Sequence, residues 1–181
     1  MTRHHPVILP LNGLQPRIPA SAFVAPTAVV VADVRLGEHS SVWFHSVLRG
    51  DLNYVSVGDY TNIQDACVLH VEDDRPCIVG AYCTVGHGAI LHACTVGDGC
   101  LIGMGATLLS GSEIGAGSIV GAGSLVREGQ RIAPGSLVVG MPAQLARQLT
   151  DEEARHLRQW AEKYARKAAE YLEALRGSAA S

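Results

Sequence analysis

An all-β solenoid, a parallel β-helix of hexapeptide repeats followed by a C-terminal α-helix, is the fold class the sequence predicts. Three observations predict it. From Val96 an aliphatic residue returns at every sixth position, through Ile102, Leu108, Ile114, Val120, Val126 and Ile132 to Val138. Four places after most of these stands a small residue (Cys100, Ala106, Ser112, Ser118, Ser124, Ser136), and glycine follows several at once, as at Gly97, Gly103, Gly115 and Gly121. Near the end the spacing changes. Ala154, Leu157, Ala161, Tyr164, Ala168, Tyr171 and Leu175 recur three and four apart, the apolar stripe of a helix.

A period of six suits neither the 3.6-residue period of a helix nor the alternation of a hairpin ladder, and short fixed periods mark solenoids. Each hexapeptide supplies one short strand and one corner, and three of them close a triangular coil. The aliphatic residue points inward and its successor outward, because strand side chains alternate. The small residue stands where the prism is narrow, and glycine serves corners that need positive φ or close backbone approach. Coils stack about 4.8 Å apart, so residues of equal rank form columns along the prism.

Taken in order, residues 1–23 carry Pro6, Pro10, Pro16 and Pro19 and are predicted to lie along the first coil as an irregular cap. Aliphatic starts then run from Val24 through Val30, Leu36, Val42, Leu48, Val57, Ile63, Leu69, Val79, Val85 and Leu91 into the regular series. That makes nineteen starts, or about six coils at three per coil. The step from Leu48 to Val57 is three residues too long, that from Leu69 to Val79 four too long, and that from Leu91 to Val96 one too short. All three follow starts on the same face, and insertions in solenoids map to loops on one face, often the binding face. Gly140-Met141-Pro142-Ala143 should end the repeat, since proline cannot continue a ladder. Thr150 to Glu153 reads as a capping box opening a helix. The expected division is a β-helix domain over residues 1–149 with its N-terminal cap, and a helix over residues 150–176 lying on the prism or on a neighbouring subunit. From Gly177 onward a frayed tail is expected.

The chain has 181 residues, one domain by length, with a formal net charge of −3 and no basic run, which argues against a nucleic-acid surface. No apolar stretch reaches the length of a membrane span, and residues 1–11 lack a signal-peptide pattern, so a cytoplasmic protein is expected. Hydrophobic residues make up 48% of the chain but include only two Phe and two Trp; a thin prism accommodates aliphatics better than rings. Cys67, Cys83 and Cys100 take the small repeat position and read as packing residues. Cys77 falls in a predicted loop and Cys94 in the shortened repeat, with no CxxC pair to suggest redox or zinc-finger chemistry.

Sorting the outward residues by face gives Val31, Arg49, His70, His92, Leu109 and Arg127 on the first. The second has Trp43, Gln64, Gly86, Gly103 and Gly121, and one step further along Phe44, Asp65, His87 and Met104. The third has Gly37, Gly58, Gly80, Gly97 and Gly115 beside Glu38, Asp59 and Asp98, and reads as solvated. His70 and His92 share a column one coil apart, where two imidazoles can converge on one ion at about 2.0–2.1 Å each. His87 lies on another face and should not reach that ion within one chain. In a threefold homotrimer the first face of one chain meets the second face of the next, and His87 of the neighbouring subunit completes a three-histidine site. Three histidines and an open position are the layout of catalytic zinc, whose bound water is acidified to about pH 7. Arg49 lies one coil from His70 and Asp65 one coil from His87, so the two could pair across this seam with Asp51 beside them. Such a pair orients a site, and it is also what an ordinary intersubunit salt bridge would look like. Gln64 faces the seam as a holder of bound water or as a polar rim residue. His4, His5, His39, His45 and His156 read as surface histidines.

Arg49-Gly50-Asp51, Asn62-Ile63-Gln64-Asp65, His70, Val85-Gly86-His87 and Leu91-His92 together resemble the γ-class carbonic anhydrase family of left-handed β-helix proteins. The resemblance covers nearly the whole chain, including Met141-Pro142-Ala143 and the terminal helix. It implies a left-handed coil, which physics alone does not supply, since β crossovers are normally right-handed. It implies zinc, or alternatively iron or cobalt, bound by His70 and His92 of one subunit and His87 of the next. Arg49, Asp51 and Asp65 would match interface residues, Asn62 and Gln64 residues around bound water, and Tyr164 a tyrosine brought near the site by the terminal helix. Two features depart from the best-studied members: Leu52 stands where they carry a glutamate, and residues 71–77, with Glu72, Asp73 and Asp74, replace a longer acidic loop for proton export. The activity implied is that of a zinc-dependent lyase, in which hydroxide on the metal attacks carbon dioxide, Gln64 orients it, and bicarbonate leaves. Three other functions fit the same scaffold: acyl-CoA thioester hydrolysis at the same centre, metal-free coenzyme A acyl transfer with a histidine base, and a trimeric structural subunit retaining an inert metal.

Overall fold

A computed structural model of the chain describes residues 5–177; His4 and the segment after Gly177 lie outside the described residues. The hexapeptides stack into parallel ladders on three faces. On the first, Val30, Leu48, Leu69, Leu91, Leu108 and Val126 stand in register. The second aligns Val24, Val42, Ile63, Val85, Ile102, Val120 and Val138, and the third Leu36, Val57, Val79, Val96, Ile114 and Ile132. Almost all of these aliphatic side chains are buried and together form one continuous core. The third-face glycines allow the coils to approach: a Cβ on Gly58 would stand 2.5 Å from the Ala81 amide nitrogen.

The solenoid begins earlier than the repeat pattern indicates. Val7–Leu9 pairs in parallel with Val29 to Val31, Arg17 bridges to Arg35, and Phe23–Val24 joins the second face. Residues 7–24 are therefore a further coil rather than an irregular cap, and the solenoid has about seven turns. A strand needs only the neighbouring coil's backbone to pair with, and Val7, Ile8 and Leu9 are exposed, so no inward hexapeptide pattern marks this coil. The prolines around it remove donors from an otherwise open sheet edge.

The long step after Leu48 is not a loop. Val47–Val57 is one strand, and its extra residues form a bulge where the register passes from Ala32–Gly50 to Val34–Val55. Cys77, expected in a loop, is buried in the strand Cys77–Val79. The excess after Leu69 is a turn over residues 71–76, closed by backbone hydrogen bonds from Glu72 to Arg75 at 2.9 Å and from Arg75 to Glu72 at 3.3 Å. Bulge and turn lie on the same edge of the prism, between the first and third faces.

The parallel repeat ends at the Gly-Met-Pro segment, as expected, but the sheet gains one more strand. Ser136–Gly140 turns back through Met141 and Pro142 into an antiparallel strand, Ala143–Gln148, which covers the last edge of the second face. The helix, α1 (Asp151–Gly177), opens on the expected capping box. The Glu153 N–H donates to Thr150 Oγ1 at 3.3 Å, and the Thr150 N–H donates to Glu153 Oε2 at 2.9 Å.

α1 packs on the second face of its own chain, burying Leu157, Ala161 and Ala168. The rings sit outside the prism and bind helix to coil: Trp43 lies 5.1 Å from Phe23, 5.7 Å from Tyr164 and 5.2 Å from Tyr171. At the corner between the second and third faces His39, Tyr60 and Tyr82 stack in column, and the Arg158 guanidinium lies 4.0 Å over Tyr82.

Candidate metal centre

Strand pairing places His70 directly opposite His92 on one side and Arg49 on the other. Because equal rank means equal direction, the two imidazoles project outward together, with ring centroids 5.3 Å apart. His70 Nδ1 and His92 Nε2 face each other at 3.3 Å. Two nitrogens bonded at 2.0–2.1 Å to one tetrahedral ion would stand about 3.3–3.4 Å apart, so the donor pair fits a metal such as zinc. Burial lowers the pKa of His70 against the opposing pull of Asp51, which favours the neutral, ligating form.

The bulge supplies the support for His70. Asp51 Oδ1 lies 3.2 Å from His70 Nε2, and Asp51 Oδ2 accepts from Arg49 at 2.5 Å. Burial alone would raise the Asp51 pKa, but hydrogen bonds from Arg49 and His70 outweigh it and hold the group below the usual carboxylate range. Leu52, beside it, is exposed.

His87 is on the second face, one coil from Asp65, with Nδ1 2.7 Å from Asp65 Oδ2. Among the described residues of one chain, no three His, Cys, Asp or Glu side chains are grouped to hold an ion. Around His87 the structure gathers the other expected residues. Gln64 Nε2 donates to Asn62 Oδ1 at 3.2 Å, and Asn62 Nδ2 donates to Thr84 Oγ1 at 2.9 Å. Both are buried, which forces this pairing. Tyr164 reaches in from α1 and lines the same groove as Gln64; burial, and next the charge of Asp65, raise its pKa. A groove of about 460 Å³ runs beside this cluster, lined by His87, Met104, Trp160, Lys163 and Tyr164 among others.

The predicted residues thus fall into two groups: Arg49, Asp51, His70 and His92 on the first face, and Asn62, Gln64, Asp65, His87 and Tyr164 on the second. Arg49 and Asp65, expected to pair across a seam, each have a partner within the chain. Two contacts were not foreseen. Ser110 Oγ lies 2.9 Å from His92 Nδ1, and Glu72 Oε1 lies 2.6 Å from that hydroxyl. Counting by rank puts Ser110 beside Ala93, next to His92, and would have flagged it; nothing local in the sequence tells how the turn at Glu72 folds.

Fold and site together define a hexapeptide-repeat β-helix protein with paired imidazoles on one face and a third on another. The "Bacterial transferase hexapeptide (six repeats)" family matches residues 93–128. A Methanocaldococcus jannaschii protein named "Probable carbonic anhydrase" is 50% identical over 141 residues, covering 78% of this chain and 89% of that one. A carbonic anhydrase of Geobacillus kaustophilus is 41% identical, covering 93% of this chain and 92% of the relative. The mitochondrial γ carbonic anhydrase 1 of Arabidopsis thaliana is 45% identical, and this chain spans 60% of its length. Among solved structures, a hexapeptide transferase family protein from Anaplasma phagocytophilum superposes with a TM-score of 0.88 at 38% identity, covering 91% of this chain and 98% of the other. A candidate acetyltransferase from Bacillus cereus does so with a TM-score of 0.92 at 41% identity, covering 93% and 98%. The chain belongs to the γ-class carbonic anhydrase-like family of left-handed β-helix, hexapeptide-repeat proteins.

Proposed function

We propose that this protein is a zinc-dependent carbonic anhydrase of the γ type, working as a homotrimer with each centre shared between two subunits. The observation that carries the reading is the 3.3 Å gap between His70 Nδ1 and His92 Nε2. Asp51 is acceptor-only as a carboxylate, so Nε2 of His70 carries the proton and Nδ1 offers its lone pair to the gap. Asp65 does the same for His87, binding Nδ1–H and leaving Nε2 bare. His87 of a neighbouring subunit would supply the third ligand. Exposed Val68, Ile90 and Leu109 on the first face and Met104 on the second give the seam apolar surface to bury.

Bound zinc supplies a water acidified toward neutral pH. The remaining work belongs to the chain. Asn62 takes one Gln64 amide hydrogen and so sets how the Gln64 amide faces the seam, where it orients the reacting water and carbon dioxide. Tyr164 closes the site on the helix side and, with its pKa raised, stays a neutral phenol at physiological pH. Stopped-flow hydration of carbon dioxide by the zinc-loaded protein should exceed that of the metal-stripped protein by orders of magnitude, and Gln64→Ala should lower the rate without lowering zinc content. Equal rates with and without metal would reject the reading.

The groove beside His87 favours a second reading, cleavage or transfer of an acyl thioester, and the superposed transferases share this scaffold. Thiol release from acetyl- and longer acyl-CoA in place of carbon dioxide turnover would establish it. Full metal occupancy with neither activity would leave a structural subunit.

A further inference from the structure

The chemistry proposed above leaves one set of contacts without a role. Ser110 stands on the coil after His92, with its side chain almost fully buried. Its Oγ meets His92 Nδ1 at 2.9 Å and Glu72 Oε1 at 2.6 Å. Glu72 is fixed in turn: its other carboxylate oxygen lies 3.5 Å from the Arg75 guanidinium, and its N–H donates to the Arg75 carbonyl at 2.9 Å. The four-residue excess after Leu69 is what carries this carboxylate over the next coils.

Proton counting decides the direction of each bond. A serine hydroxyl has one proton to donate, and a carboxylate can only accept, so the proton goes to Glu72. Ser110 Oγ then meets His92 as an acceptor, and Nδ1 must be the protonated nitrogen of a neutral ring. The lone pair is left on Nε2, which is the atom facing His70 across the gap. If Ser110 lacked its partner, it could donate to Nδ1 instead, and Nε2 would then carry a hydrogen pointing into the gap.

We infer that Glu72 and Ser110 are positioning residues that fix the tautomer and ring plane of His92, presenting Nε2 for a metal ion. The inference rests on the metal-centre reading given above. It assigns the turn over residues 71–76 a task distinct from proton export: Glu72 acts through Ser110 on a ligand. It also accounts for the asymmetry of the pair, since His70 is held by a carboxylate directly and His92 through a hydroxyl.

The test uses the intact oligomer and zinc alone as the probe. Zinc affinity is measured by competition with a chromophoric chelator for the wild type, Ser110→Ala, Ser110→Thr and Glu72→Ala. Nitrogen-15 NMR of labelled histidine reads the His92 tautomer in the same proteins before metal is added. Ser110→Ala and Glu72→Ala, which remove the hydroxyl and its acceptor respectively, should each weaken zinc binding about 10–100-fold, and His92 should change from one tautomer to a mixture. Ser110→Thr, which keeps the hydroxyl, should restore both readouts. Should Ser110→Ala fail to fold, Glu72→Ala at the half-exposed turn carries the test alone. A wild type that binds zinc while both variants bind it equally well, with an unchanged tautomer, would overturn the relay and leave the metal centre standing. A wild type with no zinc affinity would remove the metal centre, and with it the purpose of the relay.

Discussion

Each of the three histidines that the columns single out has one nitrogen committed to a hydrogen bond, to Asp51, to Asp65 or to Ser110. At the scale of a residue this matters because an imidazole bonded at one nitrogen presents a defined atom at the other. The cysteines show the opposite use of burial. All five are free and buried within the prism, and burial pushes the Cys67 thiol up to about 11. The thiolate is the reactive form, and raising the pKa keeps it scarce at pH 8. Shielded within the prism, all five cysteines should stay unmodified by iodoacetamide at pH 8 in the native protein and be alkylated after denaturation in urea, as read by mass spectrometry. Rapid labelling of Cys77 or Cys94 in the folded state would mean that the corner beneath His92 opens.

The terminal helix is the element on which the second-face residues depend. Its capping box was legible, as was the stripe of Leu157, Ala161 and Ala168, because both are local patterns. Its docking on its own second face was not, since a stripe states only that something must cover it. Trp43 supplies the answer: this ring, only 6% exposed, touches Phe23 on the coil and both Tyr164 and Tyr171 on the helix. Trp43→Ala should cost about 3–5 kcal/mol of stability, measured as a shift of the urea midpoint at fixed protein concentration. It should also lower carbon dioxide hydration through displacement of Tyr164, with zinc content retained. A variant with wild-type hydration would show that Tyr164 is held by other contacts.

At the scale of the whole molecule the two residue groups lie on different faces of one prism, so the proposed three-histidine centre would draw its ligands from two prisms. Mixing settles whether it does. His70→Ala and His87→Ala chains should each assemble without zinc sites. Hybrid trimers of the two should regain some, because one interface in each then has all three ligands. Verified subunit mixing without recovered zinc would place all three ligands in one chain.

The six-residue period by itself determined the prism, the assignment of each outward residue to a face, and the pairing of His70 with His92, because rank in a regular coil is obtained by counting. Where counting fails, only the tertiary structure decided. It showed the opening coil at Val7–Leu9, the bulge that turns Asp51 onto His70, and the turn that brings Glu72 to Ser110, 38 residues away in sequence. These contacts join segments through the path of an irregular backbone, and no local periodicity encodes that path.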